Sequence, residues 1–235
     1  PVLILSGINE KTKFEEPPPG RGLNHAIVAV ELNGDLKFLD PTCDVCPYGY
    51  LHDSDRGKKA LAIIPEDETV GKIVDTDPFS PEESKIKVNQ EVRLSKEGNL
   101  ETDIKIDHSG YYSVSLKSFL ESYSQLRQKR IYRGILSQLE SGARLEEYSH
   151  SDLENIDQRL LVNVSYKKNG FANQLGESLV FETPPTLRIP LNRNYDKYVS
   201  LPEEERNYPL QVIPSTFITK YTVNYPSGRE IVTPD

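Results

Sequence analysis

A chain of 235 residues with 36% hydrophobic and 27% charged residues has an ordinary globular make-up, and its length suits one large or two medium domains. The net charge of −8 argues against non-specific nucleic-acid binding, so no nucleic-acid partner is expected. No apolar run approaches the roughly 20 residues that a bilayer crossing needs, and no membrane span is expected in this chain.

The chain opens on Pro1-Val2-Leu3-Ile4-Leu5, an apolar run that reads as a strand inside a domain. Residues 10–22 are polar and contain Pro17-Pro18-Pro19-Gly20, the composition of a surface connector with polyproline character.

Two strands follow, Asn24 to Leu32 and Asp35 to Asp40, separated by Asn33-Gly34. Asn-Gly between apolar-rich runs is the strongest short-range hairpin signal, because a type I′ turn needs positive φ at both central residues. If the loop is these two residues, Leu32 faces Asp35, Val30 faces Lys37, Val28 faces Leu39 and Ile27 faces Asp40. His25 then shares a face with Ile27, and Asp40 is its diagonal neighbour. A three-residue loop would put the two on opposite faces. A carboxylate on one imidazole nitrogen fixes the tautomer and leaves the other nitrogen to take a proton from a nucleophile, so His25 and Asp40 are the candidate catalytic residues. The plainer reading is that both simply end their strands, Asp-Pro-Thr being a common strand exit.

Cys43-Asp44-Val45-Cys46 comes next, with His52 and Asp53 nearby. A single C-x-x-C is compatible with a redox pair, half of a zinc site, a local disulfide or two incidental thiols. Cys43, Cys46 and His52 are the weak metal-ligating alternative. No second C-x-x-C or H-x-H pair is present to complete four ligands, and neither metal nor cofactor is expected.

Residues 66–83 are acidic and end in Asp77-Pro78 and Ser80-Pro81, which predicts a linker over 71–83 and a domain boundary between 1–70 and 84–235. Beyond it, Ile86, Val88, Val92 and Leu94 suggest one half-buried strand and Leu100, Ile104 and Ile106 its partner across Gly98-Asn99. His108 reads as a solvated turn residue. Helical spacing over about 116–141 predicts two helices or one bent helix, with a break near Gln128-Lys129-Arg130, a capping box at Ser118 and Glu121, and Gly142 as the stop. Arg127, Lys129, Arg130 and Arg133 read as a solvated face. Strands resume over 160–167, 178–182 and 216–224, a proline-punctuated stretch covers 184–214, and Pro226-Ser227-Gly228 turns into Ile231-Val232. The expected class is α+β, mainly β, with a β-sandwich-like second domain carrying a helical insertion, its truncation at 235 being one alternative.

Asn24-His25-Ala26-Ile27-Val28-Ala29-Val30, followed by Leu39-Asp40-Pro41-Thr42, resembles the second half of a bacterial transglutaminase-like core. Pro47-Tyr48-Gly49-Tyr50-Leu51 and Gly57 to Ile64 are similar to its continuation, and residues 82–235 resemble the β-rich domain that follows it. The resemblance implies a partial papain/transglutaminase-like antiparallel sheet and Cys-His-Asp chemistry, with His25 as general base and Asp40 as its orienting carboxylate. It further implies acyl transfer or hydrolysis on a protein or peptide substrate, and a periplasmic or secreted location. In the family the nucleophilic cysteine precedes the histidine, at the start of a helix. No cysteine precedes His25 here. The expectation is therefore a fragment that carries base and orienter without nucleophile and is inactive alone. The second reading is a non-catalytic envelope interaction or scaffold module on the same fold.

Overall fold

The computed structural model describes residues 2–6 (backbone), 23–63, 71–78, 80–187 and 215–228. The connector at 10–22, the prolines of 188–214 and Ile231-Val232 lie outside the described residues. The chain divides into two units. The first takes its described residues from Pro1–Ser84, Glu154–Gln158 and Gln211–Ser215; the second takes them from Lys85–Leu153, Arg159–Leu210 and Thr216–Asp235. Among the described residues strands predominate over two helices, so the class is α+β, mainly β.

The first unit is built on an antiparallel sheet of β1 (Val2–Ser6), β2 (His25–Leu32), β3 (Asp35–Leu39), β4 (Lys59–Ile63) and β5 (Lys72–Asp75), ordered β3-β2-β1-β4-β5. Leu32 pairs with Asp35 and Val28 with Leu39, the register that a two-residue loop dictates. Asn33 and Gly34 both hold positive φ, 57° and 89°, as a type I′ turn requires. With that register, Ile27, Ala29, Phe38, Ala60 and Ala62 share one face and bury together with Leu51. The stretch 71–83, expected as a linker, instead carries β5, which pairs with β4 from Lys59–Asp75 to Ala62–Lys72. With only Ile73 and Val74 between polar flanks, so short an edge strand shows no periodicity to read.

The second unit holds a five-stranded sheet ordered β12-β6-β7-β9-β8. Its strands are β6 (Lys85–Leu94), β7 (Leu100–His108), β8 (Arg144–His150), β9 (Leu160–Lys168) and β12 (Thr216–Asn224); β12 runs parallel to β6 and the other pairs are antiparallel. A separate hairpin joins β10 (Asn173–Leu175) to β11 (Ser178–Val180). Burial alternates along β6, β7 and β9, so one face of the sheet is covered. The cover is α1 (Tyr111–Glu121) and α2 (Gln125–Leu139): Leu116, Leu120, Tyr132 and Leu136 pack on Val88, Val92, Ile104, Ile106, Val162 and Val164. Among the described residues, helices stand where a sandwich would place its second sheet. One-parity burial looks the same under either cover, which is why the strand pattern did not discriminate.

The helical stretch is indeed two helices, but α1 begins earlier than expected and the break falls at Ser122-Tyr123-Ser124. Ser118 and Glu121 lie inside α1 and form no capping box. Gln128 explains the displaced phase. It is buried in α2, and its Nε2 donates to the carbonyls of Leu120 and Tyr123, closing the end of α1. Arg127, Arg130 and Arg133 are exposed. β8 escaped notice because a bulge between Leu145 and Glu147 breaks its alternation. His108 is not solvated: it ends β7 at 2% exposure, its Nδ1 3.3 Å from the Leu160 carbonyl. Among the described residues no helix is long and apolar enough to cross a membrane.

Candidate functional site

His25 opens β2 and continues the parity of Ile27 and Ala29; Asp40 follows β3 on the parity of Phe38. Both side chains therefore stand at the end of the covered face of the first sheet. Nε2 of His25 lies 3.1 Å from Oδ2 of Asp40. The opposite carboxylate oxygen, Oδ1, accepts from Thr42 N at 2.9 Å and from Thr42 Oγ1 at 2.7 Å. Thr42 thus fixes the carboxylate plane and leaves Oδ2 to the imidazole. Burial pushes the Asp40 carboxyl up, but the hydrogen bonds from Thr42 and His25 outweigh it and hold it below the usual carboxylate range.

The ring is more open than its partner. The His25 side chain is 18% exposed and that of Asp40 is 5% exposed. A carboxylate accepts from Nε2–H, so the neutral ring has its basic lone pair at Nδ1, which has no hydrogen-bond partner among the described residues. The arrangement can therefore take a proton at Nδ1 and stabilise the resulting imidazolium from behind.

A third residue meets this pair. Asp55 ends a short 3-10 turn, Asp53–Asp55, and its Oδ2 lies 3.9 Å from His25 Nε2. The turn is capped by His52, whose Nδ1 accepts from the Ser54 amide, and Ser54 Oγ donates to Asp55 Oδ2 at 2.8 Å. Neighbouring Asp53 accepts from Tyr50 Oη, and burial pushes its carboxyl up. Sequence reasoning missed Asp55. It stands 30 positions beyond His25 in a polar loop without periodicity, and only the fold brings it to the ring.

No family model, curated protein or solved structure matches this chain.

The weak metal-ligating set is not assembled. Cys43 and Cys46 form a disulfide with 5.5 Å between Cα atoms, and His52 serves the turn that carries Asp55. Of the alternatives that the C-x-x-C left open, the structure selects the local disulfide. Among the described residues, the donors that do converge are one nitrogen of His25 and one oxygen each from Asp40 and Asp55, all within 4.8 Å of one another, a spacing a metal ion could bridge. In the second unit, the open face of the sheet carries a polar depression of about 370 Å³ lined in part by Asn89, Asp103, Lys105, Asn163, Ser165 and Lys220.

Proposed function

We propose that this chain carries the proton-transfer half of a transglutaminase-like cysteine acyltransferase or amide hydrolase. His25 is the general base and Asp40 the residue that orients it. The observation that carries this reading is the 3.1 Å contact between His25 Nε2 and Asp40 Oδ2, with Nδ1 left open for a thiol proton. The chain's two cysteines are bonded to each other, so the attacking thiol comes from residues other than these 235. In the reaction the thiol proton passes to Nδ1, the thiolate attacks an amide or ester carbonyl of a peptide substrate, and the imidazolium returns the proton to the leaving amine or alcohol. Water or an amine then releases the acyl group. The half-exposed disulfide supports a setting outside the reducing cytosol, as in the bacterial envelope.

The test is a cysteine-reactive acyl probe applied to the full-length gene product. The expected result is labelling of one cysteine other than Cys43 and Cys46, slowed about 10²–10⁴-fold by His25→Ala. Labelling of no such cysteine, or labelling indifferent to His25, overturns the reading.

The absence of a free thiol among the described residues also favours a second reading, in which the chain acts as a non-catalytic interaction module. An alanine or serine where the full-length protein should carry its nucleophile would decide for it.

A further inference from the structure

We infer that Asp55 is a second positioning residue for His25, so that the ring is held from its Nε2 side by two carboxylates. This inference rests on the reading of His25 as the base and extends it to a residue outside the expected Cys-His-Asp set.

Three observations carry it. First, the geometry converges: Asp40 Oδ2 and Asp55 Oδ2 stand 3.1 Å and 3.9 Å from the same nitrogen, and no other charged group of the described residues lies within 4 Å of it. Second, Asp55 is at 1% exposure, whereas the acids of a surface turn normally face water. A carboxylate removed from water is held by hydrogen bonds or charges, and the Oδ2 that accepts from Ser54 Oγ is also the oxygen that stands 3.9 Å from the imidazole nitrogen. Third, the residue is aimed by a pinned turn. Asp55 N donates to the His52 carbonyl at 2.9 Å, His52 caps the turn, and Ser54 Oγ holds the oxygen that faces the ring.

The consequence for proton transfer follows. When a thiol proton arrives at Nδ1, the Nε2 proton stays in place and the ring gains one positive charge. Two carboxylates, from two different loops, meet that charge. A half-turn of the ring about its Cβ–Cγ bond would take Nε2 away from both, so the pair also keeps Nδ1 facing outward. Loss of Asp40 alone then leaves the ring partly held, and loss of both releases it.

The experiment is an NMR titration of the chain with labelled histidine rings and labelled aspartate carboxyl carbons. In the wild type, the Asp40 and Asp55 carboxyl signals should both step at the pH where the His25 ring loses its proton. Removing a negative charge beside the ring disfavours the charged form, so Asp55→Asn should lower the midpoint of the ring relative to the wild type, and Asp40→Asn/Asp55→Asn should lower it further. An Asp55 signal that ignores the ring while Asp40 follows it, or a folded Asp55→Asn variant with an unmoved midpoint, overturns the inference and leaves the Asp40 pairing intact. If neither carboxyl follows the ring, the pairing behind the proposed function fails as well. The wild-type measurement decides even if Asp55→Asn does not fold.

Discussion

Leu32 stands opposite Asp35 across a two-residue turn, and counting outward from that pair brings His25 Nε2 to 3.1 Å from Asp40 Oδ2. The turn is thus part of the site although it lies at the other end of both strands. Gly34 sits at φ 89° with nothing near the position of an added Cβ, so Gly34→Ala meets no clash and pays for backbone conformation alone. The expected cost is about 1–2 kcal/mol, read as a lower urea midpoint at unchanged m-value. A variant as stable as the parent would show that the left-handed turn is not what holds the register.

Thr42 contributes to the same pair from the carboxylate side. Its hydroxyl donates to Asp40 Oδ1 and favours the ionised form. Thr42→Val removes that bond and keeps the amide one, so the Asp40 carboxyl should titrate at higher pH than in the parent. A depressed carboxyl contributes stability that is present above its unfolded value, near 3.8, and is lost as the pH falls through the folded value. The variant should therefore have less of this contribution to lose, and the loss should be complete at a higher pH on acidification. Carboxyl-carbon NMR measures the shift directly, and an unmoved Asp40 signal would mean that the hydroxyl bond takes no part in the depression, leaving it to the Thr42 amide and His25.

How much of this was legible in the sequence differs between the two halves of the site. The His25–Asp40 contact followed from turn chemistry and strict alternation, because both residues belong to one hairpin and period two leaves no freedom. Asp55 was invisible because it arrives through a 3-10 turn in a polar loop, where no period links position to direction. The same contrast runs through the second unit. β6, β7 and β9 alternate cleanly, whereas β8 carries a bulge; β12 matches the strand expected over 216–224, and only its parallel place beside β6 lay beyond a local pattern. Gln128 misled the helix phase because a buried side-chain amide serving two carbonyls does work that an apolar pattern assigns to leucine.

The turn between β6 and β7 is tied down by a close approach that only glycine permits. At Gly98 (φ 80°) an added Cβ would meet the Ala172 carbonyl oxygen at 2.6 Å, and the Ala172 amide donates to the Gly98 carbonyl at 2.9 Å. Gly98→Ala must therefore break that contact as well as adopt an unfavourable φ, for about 2–4 kcal/mol. Gly142→Ala, also at φ 80° but with open space around the added Cβ, is the control and should cost only the backbone share. Equal effects in the two variants, measured by thermal or urea unfolding, would sink the close-approach account.

His108 should make the second unit sensitive to mild acid. Burial lowers its pKa from the usual 6.5 to about 4, only partly opposed by the bond from Nδ1–H to the Leu160 carbonyl. The folded protein therefore holds this ring neutral over an interval in which the unfolded chain binds a proton. Stability from this group is whole above pH 6.5, declines as the pH falls, and reaches its full loss once the folded ring also protonates near pH 4. A gap of this size corresponds to about 3 kcal/mol. His108→Asn keeps a donor near the Leu160 carbonyl and cannot be protonated in this range. Whatever its stability at neutral pH, the change on going to pH 4 should be smaller than in the parent by roughly that amount, with carboxylate contributions common to both cancelling in the difference. Urea unfolding of parent and variant at the two ends of the interval gives the number. Parallel pH profiles would mean that the ring accepts its proton in place, without the desolvation that its 2% exposure implies.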